Sequence, residues 1–575
     1  MTGTESTPDA RPVVNIASAL SVIARQRPDA LAVACPVGPG RLDYHEWSFA
    51  RLDRESDVLA RGLSAIGIGR GVRTALMVKP GLEFFALTFA LFKAGAVPIL
   101  IDPGMGIRNL GRCLAEAEPI GFVGIPAAQM ARRLLGWGRR TIRLTVTVKP
   151  LRSPVGPGRQ SPRLDGSPSG RVRLSLAQVA ARGYSEEPFA AAATTADEMA
   201  AILFTSGSTG APKGAVYTHG IFAAQVAMLR DLYRIEPGEV DLCTFPLFAL
   251  FAPALGMTSI VPDMDATRPG RVDPPRIFRA IERYQATNMF GSPALLKRVG
   301  EWRPEERQRL PSLRRVISAG APVPARVLET FGRRLEPGVP IYTPYGATES
   351  LPVSSIAAAE ILAETQNRIA EGAGVCVGLP VPGMQVEIIR ISDEPIPHWT
   401  DDLRVAPGTI GEIAVLGPVV TRSYFHRPEA TALAKIAWPD GRIMHRMGDL
   451  GYRDERGRIW FCGRKSHRVR TATGDLYTIP CEAVFNVHPK VARTALVGIG
   501  AAGSQRPVLC VEPRAWPIPR AEKQLLIQEL LHIAAAHAHT GVIDTFLFHR
   551  SFPVDIRHNS KIFREKLAVW AARRA

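Results

Sequence analysis

Short apolar runs rich in β-branched residues alternate along this chain with longer amphipathic stretches. Residues 74–78 read TALMV, 201–205 read AILFT and 386–391 read VEIIRI, whereas PPRIFRAIERYQA at 274–286 has the spacing of a helix with one apolar face. Alternating strand and helix signals are typical of α/β proteins, in which helices connect parallel strands. We therefore expect an α/β fold with mostly parallel sheets flanked by helices.

The most apolar stretch of the chain is FFALTFALFKAGAVPILI at 84–101, and it contains Lys93. A membrane-spanning helix needs about 20 mostly apolar residues, and a charge near its centre is costly. We interpret the stretch as a buried helix that stops at Gly95, followed by a buried strand at 97–101. The sequence thus predicts no membrane span, and the first residues, MTGTESTPDARP, show no signal peptide.

The chain has 575 residues and a formal net charge of +18. Its length predicts more than one compact unit, and its charge favours anionic ligands or partners. Residues 132–173 contain eleven Lys or Arg and one Asp among many Pro, Gly and Ser, which indicates an exposed basic insertion. It is either a solvated loop or a docking surface for an acidic partner or a membrane.

Seven cysteines occur without a C-x-x-C pair, which argues against a disulfide framework or a zinc ribbon and favours the cytoplasm. After residue 462 the sequence becomes basic and turn-rich, GRKSHRVRTATGDLY, and a small strand–helix unit follows. We predict an N-terminal domain at 1–462, a hinge at 463–466 and a C-terminal domain at 467–575.

The strongest local signal is ILFTSGSTGAPKGA at 202–215, an apolar strand that runs into a loop of glycine and hydroxyl residues. Glycines let backbone N–H groups approach an anion, hydroxyls donate to it, and Lys213 adds a positive charge. The pattern predicts a polyphosphate cradle. The spacing from Gly207 to Lys213 differs from that of the G-x-x-x-x-G-K-[ST] loop.

This loop resembles the signature loop of the adenylate-forming superfamily, which includes acyl-CoA synthetases, peptide-synthetase adenylation domains and luciferases. Five further segments are similar to that family's motifs, in the same order: SAGAP at 318–322, YGATE at 345–349, Gly448-Asp449, Gly463-Arg464 and Ser560-Lys561. The resemblance covers roughly residues 40 to 570. It implies the adenylate-forming fold, with a large N-terminal domain and a small mobile C-terminal α+β domain.

The resemblance also implies a set of site residues and the cofactors ATP and Mg²⁺. Those expected to bind ATP or AMP are Thr205, Ser206, Gly207, Ser208, Thr209, Gly210, Ala319, Gly320, Ala321, Tyr345, Gly346, Asp449 and Arg464. Those expected to be catalytic are Lys561, Lys213, Glu349 and Thr348, with Glu349 also the Mg²⁺ ligand.

Each implied role has a physical reason. The Tyr345 ring can stack on adenine, and the Asp449 carboxylate can accept hydrogen bonds from both ribose hydroxyls. Thr348 can donate to the α-phosphate, and Glu349 offers the hard oxygen ligand that Mg²⁺ prefers. Lys561 can bridge the attacking carboxylate and the α-phosphate, where negative charge accumulates.

Departures from the superfamily pattern cluster in the half that forms thioesters. Residues 246–249 read PLFA without the histidine of many acyl-CoA synthetases, and Ser466 stands where the hinge normally has Asp or Lys. Arg470 replaces the usual lysine, and TATGD at 471–475 does not fit the short K-G loop beside the pantetheine tunnel. The departures weaken a CoA-ligase function and leave adenylation intact.

Segments 245–269 and 558–567 are similar to the olefin β-lactone synthetases of bacterial hydrocarbon biosynthesis. The resemblance implies adenylation of a 2-alkyl-3-hydroxy fatty acid, whose own hydroxyl then closes a β-lactone and releases AMP. The residues expected to line its substrate pocket are Phe245, Phe248, Phe251, Met257 and Ser292. For the apolar ones, ordinary core packing is the alternative.

Two other functions stay open at this stage. One is a medium- or long-chain fatty-acid:CoA ligase, which a CoA requirement would reveal. The other is a non-catalytic protein that binds nucleic acid or acidic membrane, although residues 132–173 hold one aromatic, Trp137, and no base-reading motif. We expect a small fatty-acid substrate, other enzymes of the same pathway as partners, no specific nucleic acid, and at most peripheral membrane association.

Overall fold

The computed structural model describes residues 12–37, 43–149, 171–205, 211–245, 251–302, 308–554 and 562–575. The chain divides into two compact units. The first comprises Met1–Asp263 with Thr421–Pro428, and the second comprises Met264–Val420 with Glu429–Ala575. The predicted hinge at 463–466 falls inside the second unit and stays a prediction.

The first unit contains the helices and strands of the first half of the chain. Its helices are α1 (Ser18–Gln26), α2 (Phe49–Ala65), α3 (Leu82–Lys93), α4 (Ile107–Ala117), α5 (Pro126–Leu134), α6 (Leu176–Gly183), α7 (His219–Tyr233) and α8 (Phe251–Ala254). Its strands are β1 (Leu31–Val37), β2 (Asp43–Ser48), β3 (Arg73–Met77), β4 (Val97–Ile101), β5 (Gly121–Gly124), β6 (Leu144–Thr147), β7 (Val172–Ser175), β8 (Met199–Thr205), β9 (Lys213–Thr218), β10 (Val240–Cys243) and β11 (Thr258–Ile260).

Seven of these strands form one sheet, in the order β7-β6-β5-β3-β4-β8-β9. Its pairs are parallel except for the β8–β9 hairpin. The helices α3, α4 and α5 connect its successive parallel strands, as the alternating sequence pattern predicts. A second group pairs in the order β10-β11-β1-β2, parallel except between β1 and β2.

The apolar stretch at 84–101 forms the buried helix and the buried strand that were expected. Every residue of α3 except Glu83 is buried, and β4 follows. Lys93 is tolerated there because its Nζ lies 2.6 Å from Asp53 Oδ1 and 2.6 Å from Asp57 Oδ1, both on α2. Within the described ranges, no helix combines the length and hydropathy that crossing a bilayer would require.

The second unit contains the remaining elements. Its helices are α9 (Pro274–Tyr284), α10 (Pro293–Gly300), α11 (Ala325–Gly332), α12 (Ala358–Glu360), α13 (Gln366–Ala370), α14 (Pro428–Ala434, whose first residue belongs to the first unit), α15 (Thr478–Asn486), α16 (Arg520–Ala536) and α17 (Arg564–Ala572). Its strands are β12 (Asn288–Phe290), β13 (Arg315–Ile317), β14 (Ile341–Ala347), β15 (Ser350–Ala357), β16 (Val375–Pro380), β17 (Gln385–Ile389), β18 (Gly411–Leu416), β19 (Lys435–Ala437), β20 (Ile443–Arg453), β21 (Ile459–Arg464), β22 (Val469–Thr471), β23 (Gly474–Leu476), β24 (Val491–Ile499), β25 (Arg506–Pro513) and β26 (Thr545–Phe548).

Strands β12, β13 and β14 pair in parallel, and from β14 onward the pairing is antiparallel, in the order β14-β15-β16-β21-β20-β18-β17. Strand β19 pairs with β20 beside this path. The change in direction follows from the connections, because a tight turn between β14 and β15 can only join antiparallel neighbours.

The last part of the chain forms its own small sheet, β24-β25-β26. Successive residues of β24 face opposite sides of a strand, so Leu496 packs into a core with α15 and α16, whereas Ala495 and Val497 pack with α17. This segment therefore has the α+β character expected for the C-terminal part.

Candidate nucleotide-binding site

Lys213 is the first residue of β9, directly after the glycine and hydroxyl loop. The β8–β9 hairpin pairs Lys213 with Thr205, which fixes where the loop leaves and rejoins the sheet. The Lys213 ammonium lies 5.1 Å from the centre of the Tyr424 ring. Tyr424 is itself held by an antiparallel bridge to Ala215. Lys213 is thus half-buried and oriented by a cation–π contact.

Several predicted site residues lie outside the described part of the chain. These are Ser206, Gly207, Ser208, Thr209, Gly210, Phe248 and Lys561, together with the side chain of Thr205. Their predicted roles therefore stay predictions.

The turn after β13 carries the residues expected to contact adenine. Ser318 donates its N–H to the Tyr342 carbonyl oxygen at 2.8 Å, which ties the start of the turn to β14. Gly320 has a φ of +98°, a conformation that favours glycine. The Ser318 hydroxyl is buried and has no hydrogen-bond partner among the described residues. A polar ligand in the turn would satisfy it, which fits the predicted nucleotide.

Tyr345, Asp449 and Arg464, predicted from three separate motifs, lie together in the second unit. The Tyr345 hydroxyl donates to Asp449 Oδ2 at 2.7 Å, and Arg464 Nη1 lies 3.0 Å from Asp449 Oδ1. The pairing of β20 with β21 places Asp449 directly opposite Arg464. At Gly346, a Cβ would come within 2.6 Å of the Ser350 carbonyl oxygen, so this strand position requires glycine.

Burial dominates the electrostatics of this group. It raises the pKa of Asp449 above its usual value, while Arg464 and the Tyr345 hydroxyl act in the opposite direction. Burial, then the nearby Asp449 carboxylate, raise the pKa of Tyr345 well above its usual value. Tyr345 therefore stays a neutral donor, and Asp449 is a buried acceptor oriented by two neighbours.

Thr348 and Glu349 form the turn between β14 and β15, and both are half-buried. Near them lies a charged residue that the sequence analysis did not identify, Lys435 at the start of β19. Lys435 is 7% exposed, and burial lowers its pKa to about 7, while the Glu349 carboxylate acts to raise that pKa. A buried amine that titrates near neutral pH thus interacts with the predicted Mg²⁺ ligand.

A divalent ion at Glu349 would need ligands from the nucleotide. Among the described residues, no three His, Cys, Asp or Glu side chains are grouped to hold a metal by themselves. One carboxylate combined with phosphate oxygens is a common arrangement for Mg²⁺, so Glu349 fits an ion that arrives with ATP.

The predicted hinge residue Ser466 lies in a short turn whose neighbours are held by ion pairs. On one side, Lys465 Nζ lies 3.0 Å from Glu412 Oε1 and donates to the Ser392 carbonyl oxygen at 2.8 Å. On the other side, Arg468 Nη2 lies 2.9 Å from Asp393 Oδ2. The turn is therefore fixed to the β17–β18 region in this conformation.

The described residues on both sides of Lys561 are tied to one another and to helix α15. Val554 forms an antiparallel bridge with Ile562. Arg564 Nη2 then contacts both carboxylate oxygens of Glu482, at 2.8 and 2.7 Å. Glu482 lies on α15 and is buried, so this ion pair anchors the start of α17, three residues after Lys561.

The residues predicted to line the substrate pocket each have different contacts. Met257 is 1% exposed, and the Phe251 ring lies 5.9 Å from the Phe222 ring. Phe245 is half-buried after β10. Ser292 accepts a hydrogen bond from the Leu295 N–H at 3.3 Å and so caps α10. Each contact is one that a packing or capping role explains, and an acyl-binding role stays a prediction.

Two residues that interact with predicted site residues escaped the sequence analysis, Lys435 with Glu349 and Tyr424 with Lys213. A lysine inside the apolar run ALAKIAW at 432–438 was the available signal for Lys435, because lysine is seldom buried without a specific partner. No local pattern marks Tyr424, since its contact with Lys213 arises from an isolated bridge between distant segments.

Comparison with known proteins identifies relatives along almost the whole chain. The sequence profile of the family described as AMP-binding enzyme matches residues 20–425. An olefin β-lactone synthetase from Xanthomonas campestris pv. campestris is 49% identical over 568 residues, which covers 97% of each chain. Another, from Stenotrophomonas maltophilia, is also 49% identical and is covered to 98%. The predicted resemblance to these synthetases is confirmed.

Solved structures agree on the fold. ATP-bound MatB from Rhodopseudomonas palustris superimposes with a TM-score of 0.74, 22% identity, and coverage of 97% of this chain and 99% of that chain. The predicted adenylate-forming fold is thereby confirmed.

Proposed function

The chain belongs to the family of AMP-binding enzymes, and on this basis we propose that it forms a β-lactone from a 2-alkyl-3-hydroxy fatty acid at the expense of ATP. It is an adenylate-forming ligase that releases AMP and pyrophosphate. The observation that carries the proposal is the 49% identity to two olefin β-lactone synthetases over 97% of this chain.

The first step joins the substrate carboxylate to AMP. The carboxylate oxygen attacks the α-phosphorus of ATP, the bond to the β-phosphate oxygen breaks, and pyrophosphate leaves. Tyr345 and the 318–322 turn would hold adenine, and Asp449 with Arg464 would hold the ribose. Lys213 and the loop before it would bind phosphates, and Lys561 would stabilise the charge on the attacked phosphate.

Glu349 is the residue that would hold Mg²⁺, together with phosphate oxygens. When bound, the ion neutralises charge on the phosphates. Lys435 adds a second influence on the same carboxylate, because its protonated form attracts Glu349 and restrains its position. We therefore place Lys435 in a positioning role behind Glu349.

The second step closes the ring. The 3-hydroxyl oxygen attacks the carbonyl carbon of the acyl-adenylate, the carbonyl–AMP bond breaks, AMP leaves, and the hydroxyl proton passes to a base or to solvent. Because both reacting groups belong to one molecule, positioning gives a high effective molarity that offsets ring strain. No CoA is required, which suits the departures at Ser466, Arg470 and 471–475.

The decisive experiment is product analysis with purified protein, a 2-alkyl-3-hydroxy fatty acid, ATP and Mg²⁺, with and without CoA. We expect a β-lactone, AMP and pyrophosphate in both cases. The matched control substrate is the 2-alkyl fatty acid without the 3-hydroxyl, which should support ATP–pyrophosphate exchange but give no lactone. Formation of an acyl-thioester only when CoA is present would instead establish the fatty-acid:CoA ligase.

The site assignment has its own test. Lys561→Ala should reduce adenylation by about a thousandfold or more, because it removes a charge that acts mainly in the transition state. Lys566→Ala, which removes an exposed lysine of α17 nearby, is the matched control and should retain full activity. Full-speed exchange by Lys561→Ala would refute the assignment.

The cysteines and the product of the proposed reaction bear on the compartment and on the partner enzymes. All seven cysteines are buried free thiols, which supports a reducing compartment and therefore the cytoplasm. A β-lactone is a reactive product, so an enzyme that consumes it is the expected neighbour in the same pathway.

A further inference from the structure

Helix α5 buries a glutamine and presents its largest apolar side chains to solvent. Its buried residue is Gln129, whose Nε2 donates to the Val146 carbonyl oxygen at 3.0 Å. On the outside, Met130 is 60% exposed and Leu134 is 79% exposed. Residues four apart share one face of a helix, so these two side chains form an apolar stripe towards solvent, and Leu135, 49% exposed, continues it.

The neighbouring helix also has an exposed apolar side chain. Ile107, at the start of α4, is 62% exposed. One turn later on the same face, Gly111 is covered by Trp137, whose Nε1 lies 2.9 Å from where a Cβ would be. Trp137 thereby holds the segment after α5 against α4, and Ile107 lies beside that contact.

The segment that carries α5 is strongly basic. Residues 126–149 contain six Arg or Lys and no Asp or Glu. Arg133, Arg139 and Arg140 are exposed. Arg171, on the adjacent segment, donates through Nη2 to the Arg139 carbonyl oxygen at 2.9 Å.

The closeness of these arginines affects the pKa of Arg132. Burial first, then the charges of Arg133, Arg173 and Arg171, lower the pKa of Arg132. Like charges gathered around exposed apolar side chains repel one another, so they favour an anionic partner that also accepts apolar groups.

We propose that Met130, Arg133, Leu134, Leu135, Arg139 and Arg140, here called the basic apolar face, dock the protein on the surface of an anionic phospholipid bilayer. The aliphatic side chains enter the boundary between headgroups and acyl chains, and the arginines contact lipid phosphates. The bilayer would also hold a fatty substrate of the proposed function, although docking does not depend on catalysis.

A bilayer fits this face better than nucleic acid does. The exposed apolar side chains are aliphatic or thioether groups, which offer bases no ring to stack on, and Trp137 is half-buried against α4. Three apolar side chains are also few for a specific protein interface, which buries about 800 Å² on each partner.

The test is co-sedimentation of the full-length protein with vesicles of phosphatidylcholine alone or mixed with phosphatidylglycerol. We expect binding to the mixed vesicles only, weakened by salt. Replacing three arginines, Arg133→Gln/Arg139→Gln/Arg140→Gln, should weaken it about a hundredfold, since each basic residue near the surface contributes about a factor of five. The apolar pair Leu134→Ser/Leu135→Ser should weaken it at least tenfold.

Matched controls separate a specific face from general attraction by the net charge. Arg230→Gln/Arg390→Gln/Arg456→Gln removes the same charge from exposed positions elsewhere, and Leu525→Ser/Leu531→Ser removes exposed leucines of α16. Both should bind nearly as the parent does. Equal losses in test and control variants, absence of vesicle binding, or retention by duplex DNA without binding to vesicles would each overturn the proposal.

All variants are compared for ATP–pyrophosphate exchange in vesicle-free buffer and for thermal unfolding. If the exchange rate and the unfolding temperature are unchanged, the variant is folded and its loss of vesicle binding concerns docking alone. A protein that binds vesicles but makes no lactone would refute the proposed function and leave the docking surface intact.

Discussion

Two buried lysines, in different regions of the molecule, show how surroundings decide what one residue type does. Lys93 on α3 is 1% exposed and contacts two carboxylates, Asp53 and Asp57, at 2.6 Å each. Lys435 on β19 is 7% exposed, and burial lowers its pKa to about 7 against the influence of Glu349. The first is part of the packing between two helices, and the second interacts electrostatically with Glu349, a predicted catalytic residue.

The difference lies in the compensation that each ammonium group receives. A buried ion pair with good geometry is sensitive to removal of one partner, because the other charge is left in a poor solvent. A buried amine near its titration point loses little when it becomes neutral, so its charge can follow pH and ligand binding. Removal of Lys93 should therefore harm stability, and removal of Lys435 should harm activity.

The largest expected effect on stability follows from Lys93→Met. The carboxylates of Asp53 and Asp57 would be left without their cation, at a cost of about 3–5 kcal/mol in the free energy of unfolding. Urea denaturation measures it. Combining the change with Asp57→Asn should cost less than the sum of the two single changes. A loss below about 1 kcal/mol would mean that the two lysines do not differ in this way.

Lys435→Met should have the opposite profile. An apolar side chain of similar length suits the buried position, so the free energy of unfolding should stay level or rise. The rate of ATP–pyrophosphate exchange should fall roughly tenfold, about 1.4 kcal/mol in the transition state, because Glu349 loses a positioning charge. A stability loss like that of Lys93→Met, with activity unchanged, would place Lys435 among the structural residues.

The pH dependence of stability sharpens the same contrast. The folded pKa of Lys435 is lowered to about 7 from 10.5, so above pH 7 the unfolded chain binds more protons at this residue than the folded one. Its contribution to the unfolding free energy therefore rises with pH, by at most about 1.4 kcal/mol per pH unit. We would measure the free energy of unfolding of the parent protein and of Lys435→Met by urea denaturation from pH 7 to 9. The difference between the two should show this slope. A flat difference would contradict the lowered pKa.

The smallest expected effect concerns Asp449, a buried carboxylate that has two partners. Tyr345→Phe keeps the ring that would stack on adenine and removes the hydroxyl that donates to Asp449 at 2.7 Å. We expect a loss of about 1 kcal/mol in unfolding free energy and only a modest rise in KM for ATP, because Arg464 still lies beside the carboxylate. A loss as large as that of Lys93→Met would mean that the hydroxyl is the dominant partner.

Sequence reasoning reached the features that local pattern determines. The buried helix and strand at 84–101 follow from hydrophobicity and length. The grouping of Tyr345, Asp449 and Arg464 joins distant parts of the chain, and only the resemblance to the adenylate-forming superfamily implied one ligand for all three. The helix predicted at 274–286 is α9, which ends two residues earlier.

Features that depend on long-range pairing could not be reached in this way. Lys435 reaches its position through the pairing of β19 with β20, and nothing in its own segment indicates an interaction with Glu349. The outward apolar stripe of α5 was missed for another reason. An apolar period predicts a buried face, and only the structure shows that Gln129 occupies that face instead.

The ion pairs beside Ser466 bear on any rotation of the chain that follows it. Rotation about Ser466 would separate Arg468, which follows the pivot, from Asp393, whereas Lys465, which precedes the pivot, would keep its contact with the buried Glu412. Dissolved salt weakens the Arg468–Asp393 pair, whose carboxylate is exposed, far more than the Lys465–Glu412 pair, whose carboxylate is buried. The Arg468–Asp393 contact would then be the one that opposes such a rotation, and added salt would make the rotation easier.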